Sequence, residues 1–323
     1  KGGMKFAMDE ILLTERENVQ KEAFVKCVSV KNSDGENVRK TDQKFAVTCY
    51  AVAVCISAIA GAIVAAMVKQ ESPSYIYLSY LLPQIGYIGV FFAMKYKYER
   101  TVIKGLVRKD AVKPSHYLIG ALIAVGLLFI ALLPNTGVRK LFELMGIKAS
   151  VVVPKMNAWY EYLLCGVVIC VLPAIGEELV FRKAFCDGME EVADYKTILL
   201  CGLAFSLSHL NAAQTVHQFF LGCVLATVYV KTKNVTVTMT MHFINNFLAL
   251  YLERITGAEV WNNITVQGIC FAVGAIAVGT GLFLLLKKGG LNNKKQGKIE
   301  GVTTLLLAVL AVAWAIVFGL SFK

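Results

Sequence analysis

The chain has 323 residues, 57% of them hydrophobic and 17% charged, with a mean hydropathy of +0.61, against roughly 45–50% apolar and about 25% charged in soluble globular chains. This composition excludes a soluble domain. The formal net charge of +11 does not mark a nucleic-acid binder, because the basic residues fall in the short connections between apolar blocks and form no continuous patch.

Residues 1–44 are polar and read as a cytoplasmic tail, with Lys1–Gly3 ahead of Met4 read as a cloning remnant. The first apolar block follows this polar stretch and is too long for an h-region, so no cleavable signal peptide is expected. The blocks then run Phe45–Val68, Tyr75–Met94, Tyr117–Leu133, Trp159–Ile175, Tyr195–Leu210, Val216–Val230, Val235–Leu252, Ile264–Leu286 and Val302–Phe322. Most are long enough to cross a hydrocarbon core about 30 Å thick. They predict an all-α, polytopic membrane bundle of nine helices, or of eight if the short fifth or sixth block is re-entrant or strongly tilted. Residues 45–323 read as a single membrane domain without internal repeats, and Val138–Met145 reads as an amphipathic helix on the outer surface.

Of the 33 Lys and Arg residues, 26 fall on one set of alternate connections. The positive-inside rule therefore puts the N-terminus in the cytoplasm, the C-terminus outside if nine helices span, and Trp159 and Trp261 at the outer interface. A plasma membrane, bacterial in origin, is the expected location. Seven cysteines lie within apolar blocks and no CxxC pair occurs, so they read as packing thiols.

Ionisable groups inside a membrane are costly, so those that interrupt the apolar pattern are the candidates for function. Glu177 and Glu178 end the fourth block, Arg182 follows, His209 lies in the fifth, His217 near the start of the sixth, and His242 and Asn246 in the seventh. At 100° per residue, Glu178 and Arg182 share a helix face and can pair, whereas Glu177 points away from them. His242 and Asn246 share a face too, and can present an imidazole and an amide to one point. Pro173 deprives the Ile169 carbonyl of its amide partner and predicts a kink just before the glutamates. At a rise of about 1.5 Å per residue, Glu177 lies near the cytoplasmic end of its helix, His242 roughly 10 Å in and His209 roughly 20 Å in. The three thus converge only approximately, at a site open to the cytoplasmic half of the bilayer. A lone membrane histidine is commonly a helix-to-helix hydrogen bonder, the plain reading of His217, and a lone Glu-Arg pair is commonly an interfacial salt bridge.

Taken in order, Glu177-Glu178-x-x-x-Arg182, Phe205-x-x-x-His209 and His242-x-x-x-Asn246 resemble the motifs of the CAAX protease and bacteriocin-processing (CPBP) family of intramembrane endopeptidases, also called the Abi or type II CAAX prenyl endopeptidase family. The motif-bearing core is 159–252. The resemblance implies a helical bundle around a polar intramembrane chamber. It also implies Glu177 as the base that deprotonates a water and His209 as holder of that water or of a metal. His242 and Asn246 would then stabilise the oxyanion, with Glu178 and Arg182 bracing the site. Glu177, His209 and His242 also have the composition of a His2Glu zinc site. A metal-free mechanism uses the same residues, and the sequence leaves zinc open. The implied substrate is a peptide bond in a hydrophobic, lipidated or secreted-precursor peptide met among membrane lipids. The other readings are a non-proteolytic chaperone or bacteriocin-immunity protein of the same fold, and a transporter using the ionisable groups as a proton relay. The complete motif set argues against the former, and the lack of repeats against the latter.

Overall fold

The computed structural model describes residues 29–31, 37–39, 42–99, 113–147, 154, 156–287 and 289–320. Most of the N-terminal tail lies outside them. Within it, β1 (Ser29–Lys31) and β2 (Asn37–Arg39) pair antiparallel, with Val30 opposite Val38. This hairpin is a small addition to a chain that is otherwise a polytopic helical membrane bundle. The helices are α1 (Gln43–Met67), α2 (Pro73–Glu99), α3 (Pro114–Leu144), α4 (Trp159–Cys186), α5 (Asp194–Ser208), α6 (Ala212–Thr232), α7 (Val235–Thr256), the short α8 (Ala258–Asn262), α9 (Ile264–Leu286) and α10 (Gly301–Leu320).

Among the described residues, eight helices are long and apolar enough to cross a bilayer. The exceptions are the five-residue α8 and α5, whose 15 residues span about 22 Å at the usual helical rise, short of a hydrocarbon core about 30 Å thick. The expected sixth span, by contrast, is a full helix of 21 residues. The surface helix expected at Val138–Met145 is not separate: α3 runs through Pro134 without interruption to Leu144. A proline costs a helix one backbone hydrogen bond, and the packed bundle around α3 tolerates that loss.

Small residues set the closest helix approaches, as is usual where lipid supplies no drive for association. A Cβ added to Gly126 of α3 would lie 2.9 Å from the Gly274 carbonyl of α9, and one added to Gly222 of α6 would lie 2.9 Å from Gly202 Cα of α5. The central element is α4, which α1, α2, α5, α6 and α7 surround. Its partners close over a core that includes Tyr50, Phe91, Phe181, Phe185 and Phe205. Cys49, Cys186 and Cys201 are buried in the same core.

One end of the bundle collects the polar connections. Lys183 pairs with Asp187 at 2.7 Å, Tyr229 donates to Asp187 at 2.8 Å, and Lys231 donates to the Gly289 carbonyl. Lys295 reaches Asp194 at 2.8 Å, while Gln43, at the start of α1, bonds to the Lys298 carbonyl at 2.7 Å and to the Glu300 amide at 2.8 Å. These segments belong to the connections in which basic residues concentrate. Arg254, from the other set, instead reaches the Pro154 carbonyl at 3.2 Å.

Candidate active site

The site is built on an irregular helix. Within α4, Gly166–Val171 and Glu178–Cys186 are π-helical, and Leu172–Glu177 between them is α-helical. Glu177 and Glu178 therefore straddle a change of helical register. π-helical departures within an α-helix re-aim the residues that follow and are frequent at functional sites.

Glu178 and Arg182 are both fully buried, and Arg182 Nη1 lies 3.2 Å from Glu178 Oε1. Arg182 Nη2 also donates to the Gly222 carbonyl at 3.4 Å, and the guanidinium carbon stands 4.6 Å from the centre of the Phe205 ring. The close crossing of α5 and α6 is what brings that carbonyl and that ring to one cation. A buried carboxylate is tolerated only when paired and hydrogen-bonded, and Glu178 meets both conditions. Its Oε1 lies 2.8 Å from His242 Nδ1. With Nδ1 carrying a proton toward the carboxylate, the ring is fixed and Nε2 faces the other way, toward Glu177.

His242 Nε2 is 3.9 Å from Glu177 Oε2. That gap exceeds a hydrogen bond, yet one oxygen atom can sit within about 2.8 Å of both. Glu177 takes its contacts apart from the Glu178–Arg182 pair, from His242 and Gln84. The two glutamates bracket one imidazole, one at each ring nitrogen. The other oxygen of Glu177 accepts a 2.9 Å hydrogen bond from Gln84 Nε2 of α2.

His209 caps the C-terminus of α5. Its Nδ1 lies 2.8 Å from the Phe205 carbonyl, which Ser208 Oγ also bonds at 2.7 Å. The Phe205 ring touches both histidines, with its centroid 4.9 Å from that of His209 and 5.9 Å from that of His242. His209 thus adjoins the Glu177–His242 pair through Phe205. Among the described residues, no group of three or more His, Cys, Asp or Glu side chains is arranged to hold a metal. Glu177 and His242 face one point, but His209 does not complete a three-ligand zinc set as the site stands.

Asn246 has a different partner from the one its spacing suggests. Its Nδ2 donates to the Ile169 carbonyl at 3.1 Å, the carbonyl that Pro173 leaves without an i+4 amide. Asn245, itself buried, donates to Asn246 Oδ1 at 3.4 Å. Neither Gln84 nor Asn245 carries a charge, which is why a search for intramembrane ionisable groups passes over both. An amide inside the apolar run Tyr75–Met94 is nonetheless a local signal of the same kind. His217 is near His209 on the α5–α6 hairpin.

Compared with known protein families, residues 159–248 match the model described as type II CAAX prenyl endopeptidase Rce1-like. Over this segment the chain is similar to the Rce1-like family, in line with the motif resemblance to the CPBP family. The match covers less than a third of the chain but includes Glu177, Glu178, Arg182, His209, His242 and Asn246. Comparisons with curated proteins and with solved structures return no match. The Rce1-like family is a family of proteases, which supports peptidase activity at the family level. Together with the eight apolar helices, it makes the chain a multi-pass integral membrane protein.

Proposed function

We propose that this protein is an intramembrane endopeptidase that cleaves a peptide bond in a lipidated or otherwise hydrophobic, membrane-associated peptide, using water activated by Glu177. The observation that carries this reading is the buried run Arg182–Glu178–His242–Glu177, with contacts of 3.2, 2.8 and 3.9 Å. Along this run each carboxylate lies beside a nitrogen group able to offset its charge, as a membrane interior requires of a buried carboxylate.

In the reaction, Glu177 Oε2 takes a proton from water and the resulting hydroxide adds to the peptide carbonyl carbon. The developing oxyanion accepts the Nε2–H of His242, whose positive charge Glu178 offsets from the opposite side of the ring. Collapse of the tetrahedral intermediate breaks the C–N bond, and Glu177 returns its proton to the leaving amine. Base and oxyanion donor are thereby held in place before substrate arrives, in a site with little water to screen them. Asn246 supports this arrangement by holding α7 to α4 at the Ile169 carbonyl. Any metal would have to enlist His209 by moving it toward Glu177 and His242.

The test compares membranes carrying wild-type protein with membranes carrying Glu177→Gln, by quantitative mapping of peptide termini. Substrates should accumulate uncut in the variant, and kcat on an identified substrate should fall by roughly 10²–10⁴ at near-wild-type thermal stability. Full cleavage by Glu177→Gln would remove Glu177 as the base. Unaltered termini combined with retention of a peptide partner would favour the chaperone or immunity reading.

A further inference from the structure

We infer that Gln84 is a positioning residue for the base, and that α2 thereby forms part of the active site although it lies outside the Rce1-like segment. The inference rests on the protease reading above. Gln84 is 6% exposed and sits in the apolar run Tyr75–Met94, directly after Pro83. Its Nε2 donates to Glu177 Oε1 at 2.9 Å. That bond occupies one carboxylate oxygen and leaves Oε2 facing His242 Nε2.

The position of the amide is imposed by packing and its orientation by the carboxylate it meets. A Cβ at Gly176 would come within 2.9 Å of Gln84 Oε1, 3.2 Å of Tyr87 Cβ and 3.3 Å of the Gln84 carbonyl. Only glycine lets α2 approach α4 closely enough for this contact. Gln84 Oε1 lies against Gly176, and as a buried atom it finds no hydrogen-bond donor among the described residues. Turning the amide over would set an oxygen against the carboxylate oxygen and lose the bond. A buried acceptor without a partner is a standing cost, which a leucine or methionine at this position would avoid. The orphaned oxygen is what the chain tolerates to keep an N–H donor on Glu177.

The groups in direct reach of Glu177 are His242 from α7 and Gln84 from α2, while Arg182 on its own helix and Tyr87 on α2 feel its charge through space. Gln84 is the one that donates a hydrogen bond to Oε1. Removing it frees the carboxylate to rotate, so that Oε2 no longer holds the water in line with the Nε2–H. Substrate binding is not affected, and the loss belongs to kcat.

The decisive variant is Gln84→Met, which keeps length and volume but donates nothing. Two measurements on the purified full-length protein test it. In infrared difference spectra, wild type minus Glu177→Gln isolates the bands of the Glu177 carboxyl group. The same subtraction made in the Gln84→Met background should show those bands shifted. In steady-state kinetics Gln84→Met should lower kcat about tenfold or more and leave KM within twofold. Glu177→Asp pulls the carboxylate out of reach of Gln84, so adding Gln84→Met to it should cost little more, whereas a packing role would give additive losses. Gly176→Ala should reproduce the kcat loss by displacing the amide. Unshifted carboxyl bands, or a Gln84→Met kcat within twofold of wild type, would overturn the inference. Failure of the protease reading is seen separately, as undiminished cleavage by Glu177→Gln.

Discussion

Replacing Asn246 by alanine separates the two jobs open to that side chain. The substitution removes the 3.1 Å bond to the Ile169 carbonyl and the acceptor that Asn245 uses at 3.4 Å. Side-chain hydrogen bonds between membrane helices average about 0.6 kcal/mol and reach about 1.7. The half-buried Ile169 carbonyl then has neither an i+4 amide nor the Asn246 donor, which puts its bond in the upper part of that range. The Asn245 contact is long and belongs near the lower end. A total loss of about 2 kcal/mol is expected, with a clear fall in the thermal unfolding midpoint in detergent. Because kcat is measured per folded molecule, it should drop only a few-fold. Pro173→Ala supplies an amide hydrogen four residues after Ile169. The double variant Pro173→Ala/Asn246→Ala should therefore lose less stability than the two single losses added together. If Asn246→Ala instead melts like wild type and loses roughly 10²–10³ in kcat at constant KM, the amide is an oxyanion donor and the bond to Ile169 is incidental.

Arg182→Met leaves the fully buried Glu178 carboxylate without its cation and should destabilise the protein by about 3–5 kcal/mol. Adding Glu178→Gln should recover part of that loss in thermal unfolding but no activity, since the orientation of His242 is then gone. In a cysteine-depleted background, a cysteine at Asn293 should label from the cytoplasmic face and one at Glu259 from the opposite face. Labelling of both from one side would break the arrangement in which 183–196, 231–233 and 289–300 share one end of the bundle.

Much of the site is readable from the linear chain because the membrane makes its polar residues conspicuous. A carboxylate or imidazole in an apolar run carries a large desolvation cost wherever the neighbouring helices lie, so Glu177, Glu178, Arg182, His209 and His242 stand out one residue at a time. The same holds for the pairing of Glu178 with Arg182, a contact four residues apart on a single helix. The missing amide hydrogen at Pro173 is also local, a property of the residue itself.

Contacts between helices are a different matter. Regular spacing of 100° per residue directs Glu177 away from Glu178 and Arg182, and only packing against α7 sets one imidazole between the two glutamates. The partner of Asn246 is decided in the same way, by a carbonyl of α4 that only the docking of α7 brings within reach. Gln84 lies 93 residues from Glu177 in the chain. Its place beside the base depends on the absence of a side chain at Gly176, a steric fact about two surfaces in contact. Residue chemistry is carried by each position alone and can be read along the chain. Which donor meets which acceptor depends on helix register and on the depth to which small residues let helices approach, and those are set only when the bundle closes.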